Sequence, residues 1–279
     1  MKNILFMTDL DGTLLNDKKE ITKKSADILN SLTEKGLKLS ISTARTPATL
    51  EGILSGLKLS YPLCCMNGAA IYDMKKEKYI RFYPLKSEFV YRLIEICRQV
   101  GISPFIHIIK DNRLYVCYEN TESKAAEDFH REREGLRLKT YIHAPYSPNF
   151  GEAVYFTLLA EERKIREILA EIEREGLSKA LGLNFYGDIY NKGFYYLEIC
   201  DKMASKKTGL HFLKEYSGAE EVYAFGDNLN DLPMLEEADL CFAVENAVDE
   251  VKNFCHRVIG KNTEDSVALT IKNITEDEF

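Results

Sequence analysis

The sequence contains no C-x-x-C pair, no closely spaced histidine pair and no apolar run near the roughly 20 residues that a membrane helix needs. The first two absences argue against a zinc site or a redox dithiol. His107, His130, His143, His211 and His256 are therefore read as structural or surface residues, with His107 and His143 the two placed to face a substrate. The third absence argues against a membrane partner. At the start of the chain, Ile4 to Met7 is too short for a signal peptide and runs at once into Asp9 and Asp11. A cytoplasmic protein is expected, with Cys64, Cys65, Cys97, Cys117, Cys200, Cys241 and Cys255 as reduced, mostly buried thiols. A basic surplus is also missing. With 37 Lys and Arg against 44 Asp and Glu, the net charge is -7, which argues against a general nucleic-acid surface.

What the sequence does have is enough apolar material, 45% of 279 residues, for one large domain or two. Short apolar runs at Ile4–Met7, Leu37–Ser42, Pro62–Met66 and Val222–Phe225 read as strands buried on both faces of a parallel sheet. Between the first two lies a helical spacing through Ala26, Ile28, Leu29 and Leu32, closed by Gly36. That alternation predicts a doubly wound α/β core with right-handed crossovers. From residue 84 to 186 the texture changes to helix-like Glu88–Val100, paired strand patterns at Phe105–Ile109 and Arg113–Tyr118, and an amphipathic helix ending at Gly176. The expected organisation is a core of residues 1–83 and 187–279 with an inserted α/β domain at 84–186.

The polar residues that end the apolar runs are of one kind. Asp9 and Asp11 follow the first run, Thr43 the second, and Asp227 and Asp231 the last, and an open α/β sheet binds ligands beyond the carboxyl ends of its strands. Carboxylates gathered there repel one another unless a cation sits among them, and oxygen ligands without a His or Cys cluster favour magnesium over zinc. Phosphoryl transfer suits such an inventory, because it mainly requires positioning and neutralisation of the phosphoryl oxygens.

These residues carry a family resemblance. Asp9-Leu10-Asp11-Gly12-Thr13-Leu14, Ser42-Thr43-Ala44-Arg45, Lys206 and Gly226-Asp227-Asn228-Leu229-Asn230-Asp231 resemble, in order, the motifs of haloacid dehalogenase superfamily phosphatases. Asn67-Gly68-Ala69, the run from Asn230 to Leu235 and the pair Asn246-Ala247 resemble signatures of the Cof-type branch, subfamily IIB with a C2B cap. The resemblance implies a Rossmann-like core, a substrate-selecting cap at 84–186 and a site in the cleft between them. It implies that Asp9 attacks phosphorus to form an aspartyl phosphate and that Asp11 serves as acid and base while lending its backbone carbonyl to Mg2+. It also implies that Asp9, Asp11, Asp227 and Asp231 hold the metal, with Asp227 ranked above Asp231. Thr43 and Lys206 would bind the phosphoryl group, with Lys207 the substitute for Lys206, and Asn67 and Asn230 are further phosphate or ligand contacts.

Ala44, Lys207 and Glu245 stand where the family commonly has glycine. The implied partner is a small phosphorylated metabolite, sugar phosphates first, then nucleotide-like or cofactor phosphates, for a monomer or homodimer. Phe105, His107, Tyr115, Tyr118, Tyr155, Phe185 and Tyr190 are the inserted-domain side chains available to line a pocket, though most fit a core role as well. A phosphosugar mutase, a phospho-receiver switch and a silent binding protein remain the rival readings.

Overall fold

The computed structural model describes residues 3–188 and 191–276. In chain order the first elements are β1 (Ile4–Thr8), α1 (Lys23–Glu34), β2 (Lys38–Ile41), α2 (Pro47–Leu50), β3 (Leu63–Cys65), β4 (Ala70–Asp73) and β5 (Lys78–Phe82). There follow α3 (Ser87–Val100), β6 (Phe105–Lys110), β7 (Arg113–Tyr118), α4 (Lys124–Arg131), β8 (Lys139–His143), β9 (Glu152–Glu161), α5 (Glu162–Arg174), β10 (Leu181–Gly187) and β11 (Phe194–Asp201). The last are α6 (Lys206–Ser217), β12 (Glu221–Gly226), α7 (Leu232–Leu235), β13 (Leu240–Val244), α8 (Asp249–Phe254), β14 (Arg257–Ile259) and α9 (Ser266–Glu276).

The chain divides into two compact units, Met1–Arg81 with Ser205–Phe279, and Phe82–Ala204. The first is built on a five-stranded sheet in the order β14-β13-β12-β1-β2, in which every neighbouring pair is parallel. All five residues of β1 are buried, as expected for a strand covered on both faces. From β1 the chain winds one way to β2 and later returns to wind the other way through β12, β13 and β14. The order therefore reverses beside β1, which places a crevice at the carboxyl ends of β1 and β12. A bridge from Ser42 to Cys64 links β2 to the small sheet β3-β4-β5. The Thr22 hydroxyl caps α1 by accepting the Ser25 N–H at 3.0 Å. Six of the seven cysteines are buried, Cys255 is half-buried, and all are free thiols.

The inserted unit is a six-stranded sheet in the order β10-β11-β9-β6-β7-β8, antiparallel except for the β7–β8 pair. Its main core follows from alternation along the strands, interrupted by a register shift between His107 and Ile108 where β6 pairs with β9. Ile106, Ile108, Phe156, Leu158, Leu197 and Ile199 face α3 and α5 and form the main core. Ile165, Ile168 and Ile172 of α5 are fully buried there, and burying each stabilises the unit by about 1.5–3 kcal/mol. On the opposite face, Phe105 and Val116 pack under Ala126 of α4.

The return boundary differs from the sequence expectation. Residues 187–204 belong to the inserted unit, because β11 pairs along its length with β10 on one side and β9 on the other. The outgoing boundary lies at Arg81, two residues before the expected one. Among the described residues, no helix is long and apolar enough to cross a membrane.

Candidate active site

Asp9 follows β1 directly, and its N–H donates to the Phe225 carbonyl of β12 at 3.0 Å. The chain then turns tightly through Leu10–Leu14, closed by the Leu15 N–H on the Leu10 carbonyl at 2.9 Å. Gly12 adopts φ +82°, and a Cβ there would lie 2.5 Å from Asp227 Oδ2. Only glycine tolerates both the left-handed backbone and the close approach. The Thr13 hydroxyl donates to Asp227 Oδ1 at 3.0 Å, tying the first motif to the end of β12. From the far end of the sequence, the Asn246 amide donates to the Gly12 carbonyl at 2.8 Å. Asn262 donates its side-chain amide to the Leu15 carbonyl and its backbone N–H to Asn246 Oδ1, each at 2.9 Å.

Lys206 opens α6 and is 2% exposed. Its ammonium donates to Asp9 Oδ1 at 2.6 Å and to Asp231 Oδ1 at 2.5 Å. The start of α6 is fixed by the Ser205 hydroxyl, which accepts the Thr208 N–H at 3.0 Å. It is also fixed by the turn at Gly68, where φ is +95° and a Cβ would meet the Ser205 carbonyl oxygen at 2.2 Å. The turn after β3 therefore presses directly on the residue preceding the buried lysine.

Burial alone would depress the Lys206 ammonium, but Asp231 and Asp9 outweigh it and hold the group above its ordinary value. Burial raises Asp9 well above the usual carboxylate range, Lys206 opposes the rise, and Asp231 and Asp227 add to it. Asp227 is pushed up to about 7 by burial and by Asp231, against the Thr13 hydrogen bond and Lys206. Asp231 is committed on both oxygens: Oδ2 accepts the N–H groups of Asp227 at 3.0 Å and Asn228 at 3.1 Å, and Oδ1 holds Lys206.

Asp9, Asp227 and Asp231 each offer a carboxylate oxygen within 4.8 Å of the others. One buried ammonium among three carboxylates leaves an excess of negative charge, and every donor is a hard oxygen. This set fits a magnesium ion. Since Asp231 already satisfies both of its oxygens, Asp9 and Asp227 are the freer of the three to serve as direct ligands, with Asp231 behind them.

The other candidates divide. Thr43 is buried at the end of β2, beside β1, and its hydroxyl accepts the Arg45 N–H at 3.2 Å, leaving its own proton to donate elsewhere. It is not the cap of α2, a position held by Thr46. Asn230 donates to Asn67 Oδ1 at 3.3 Å, so these two are brought together. The Asp11 carboxylate is not among the three gathered ones. It is half exposed and gripped in a fork by Arg45, Nε to Oδ2 at 2.7 Å and Nη2 to Oδ1 at 2.5 Å. Lys207, the substitute for Lys206, points out instead and pairs with Glu237 at the surface.

Four residues that place this machinery were not singled out from the sequence: Thr13, Arg45, Asn246 and Asn262. The first three lie inside the quoted motifs, so motif membership was their available signal; Asn262 carried none.

In the inserted unit, Tyr115 and Phe185 pack on the α3 and α5 side, while Phe105 and Tyr118 join the α4 side. His107 and Tyr155 are buried against each other, ring edge to face, with centroids 5.8 Å apart. His143 stacks on Tyr118 at 4.9 Å. Tyr190 lies outside the described residues.

Residues 6–271 match the family model of haloacid dehalogenase-like hydrolases. The chain is 26% identical over 278 residues to the 5-amino-6-(5-phospho-D-ribitylamino)uracil phosphatase YitU of Bacillus subtilis, covering 97% of each. It is 29% identical over 269 residues to the pyridoxal phosphate phosphatase YbhA of Escherichia coli, covering 94% of this chain and 95% of that one. A crystal structure of a haloacid dehalogenase-like hydrolase from Bacteroides thetaiotaomicron shares the fold, with a TM-score of 0.79 at 24% identity over 98% of this chain and 100% of the other. The aspartate-ended strands thus lie in a fold and a sequence pattern that agree along nearly the whole length, and the chain belongs to the haloacid dehalogenase-like hydrolases.

Proposed function

We propose that the protein is a magnesium-dependent phosphatase of small phosphomonoesters, working through an aspartyl phosphate on Asp9. The observation that carries this reading is the buried triad in which Lys206 bridges Asp9 and Asp231 while Asp227 stands within shared ligand reach.

Asp9 is the nucleophile: one carboxylate oxygen attacks phosphorus, and the substrate's alkoxide departs. Lys206 balances the charge of the carboxylate and of the phosphoryl oxygens that approach it. Thr43 donates its hydroxyl proton to a phosphoryl oxygen, and Asn67 and Asn230 supply further contacts. Asp11 protonates the leaving oxygen and then takes a proton from the water that cleaves the acyl phosphate. For this it must leave the Arg45 fork, which the exposure of the pair permits. Asp9, Asp227 and the Asp11 carbonyl, with Asp231 behind them, would hold a magnesium ion, which would supply charge neutralisation for the transferring group.

Sugar phosphates are the favoured substrates, followed by nucleotide-like and cofactor phosphates. The curated relatives support small phosphomonoesters as the class, since the named substrates of YitU and YbhA are a phosphorylated ribitylaminouracil and pyridoxal phosphate. Discrimination among leaving groups falls to the inserted unit, because the core chemistry is common to every phosphomonoester. The test is phosphate release from hexose and pentose phosphates, nucleotides and pyridoxal phosphate. Highest kcat/KM on a sugar phosphate supports the ranking. An isomerised sugar phosphate without free phosphate contradicts hydrolysis.

A further inference from the structure

Lys139, at the start of β8, is 6% exposed, and among the described residues its ammonium has no carboxylate or hydrogen-bond partner. Its near neighbours are the Tyr141 ring, 5.1 Å from Nζ, and the positive charge of Arg133, which acts on Lys139, His107 and Tyr141 alike. Burial and Arg133 pull the ammonium down to about 7. A second group nearby has an unsatisfied atom: His107 is 3% exposed and its Nδ1 is buried without a partner. The buried Tyr141 hydroxyl has none either.

Alternation along the strands brings these groups to one face. In the parallel β7–β8 pair, Leu114, Val116 and Tyr118 stand beside Lys139, Tyr141 and His143, and His107 of β6 stands beside Val116. This is the α4 side of the sheet, where Val116 and Tyr141 share a cluster with Ala126. The exposed Glu134 reaches His130 at 4.0 Å and does not pair with Lys139.

Native interiors rarely leave a buried hydroxyl and a buried ring nitrogen unsatisfied beside an unpaired, largely buried cation, because each loses most of its water without a replacement. The ammonium can only donate and the hydroxyl is free to donate, so one oxyanion can accept from both; Arg133, which is paired with Glu132 at 3.1 Å, adds a further positive charge nearby. A carboxylate or phosphate oxygen satisfies Lys139 and Tyr141 at once, and the His107 tautomer protonated on Nδ1 completes the set.

We propose that the α4 face of the inserted sheet holds an anion subsite in which Lys139, Tyr141 and His107 bind a carboxylate or phosphate group of a small metabolite. The subsite is distinct from the carboxylate cluster of the first unit and does not depend on the phosphatase reading.

The test is calorimetric titration of the magnesium-free full chain with inorganic phosphate and, separately, with malonate. The expected result is saturable binding of one probe, weakened at least tenfold by Lys139→Met, about threefold by Tyr141→Phe, and unchanged by the surface variant Lys207→Met. Phosphate or malonate as the binding probe tells which oxyanion the site takes. No saturable binding of either probe overturns the proposal, as does equal affinity in Lys139→Met. If that variant does not fold, unchanged affinity in Tyr141→Phe overturns it.

Discussion

Lys206 places its ammonium 2.6 Å from Asp9 Oδ1, at the first turn of a helix packed so that the lysine is 2% exposed. Removing the cation leaves Asp9 and Asp231 buried without a counter-charge, a loss of about 3–5 kcal/mol. Lys206→Met is expected to lower the melting temperature markedly and to cut kcat by roughly 100-fold, the scale of one lost charge-stabilising group. Lys207→Met, which removes only a surface pair with Glu237, is expected to stay within about 0.5 kcal/mol of native and to keep its activity. Thermal melts and initial rates on both variants distinguish the two lysines.

Gly12 and Asp227 approach so closely that a single methyl cannot fit between them. Gly12→Ala is expected to displace the Asp227 carboxylate and to raise the magnesium concentration needed for half-maximal activity by at least tenfold. Magnesium titration of the initial rate checks this, and an unchanged midpoint contradicts it.

The Asp227 carboxyl, raised to about 7 in the metal-free site, makes metal binding and stability respond to pH in opposite directions. Between the unfolded value near 4 and about 7, the folded chain binds more protons than the unfolded one, so stability without metal falls as pH rises through this window. With EDTA present, the melting temperature is expected to be higher at pH 5.5 than at pH 7.5, and Asp227→Asn should flatten much of that slope. Magnesium competes with the proton, so its apparent affinity is expected to tighten from pH 6 to pH 8.

Lys139 gives the mirror case. Its folded value near 7 lies below the unfolded value near 10.4, so protonation favours the unfolded chain. The penalty is fully present below about pH 7 and disappears as pH rises toward 10, and its size is on the order of a few kcal/mol. Without added anions, Lys139→Met is expected to be more stable than native at pH 6.5, with the gap closing by pH 9.5. Melts of both proteins across that range check it.

Much of the catalytic unit was legible because its signals are local. Apolar runs ending in Asp9-Leu10-Asp11-Gly12 and Gly226-Asp227 announce buried strands and what stands at their ends, while Lys206 is picked out by the family resemblance. The illegible parts depend on pairing between distant segments. Phe194–Asp201 reads as a core strand from its own residues, and only its partners β9 and β10 assign it to the inserted unit. Arg45 and Asp11 meet across 34 residues, and nothing in either neighbourhood announces the fork. Lys139 follows a stretch full of charge, where solvation is the ordinary fate of a lysine; its burial follows from the packing beside Tyr141 and α4.

Asp9 is proposed to carry the phosphoryl group in a reaction that requires magnesium. The most direct measurement is phosphate release from a sugar phosphate by native protein and by Asp9→Asn, each with magnesium and with EDTA. Release is expected from the native protein with magnesium alone, and none above background from Asp9→Asn despite a cooperative melt at or above the native temperature. Turnover that survives the Asp9 substitution, or that persists in EDTA, would contradict it.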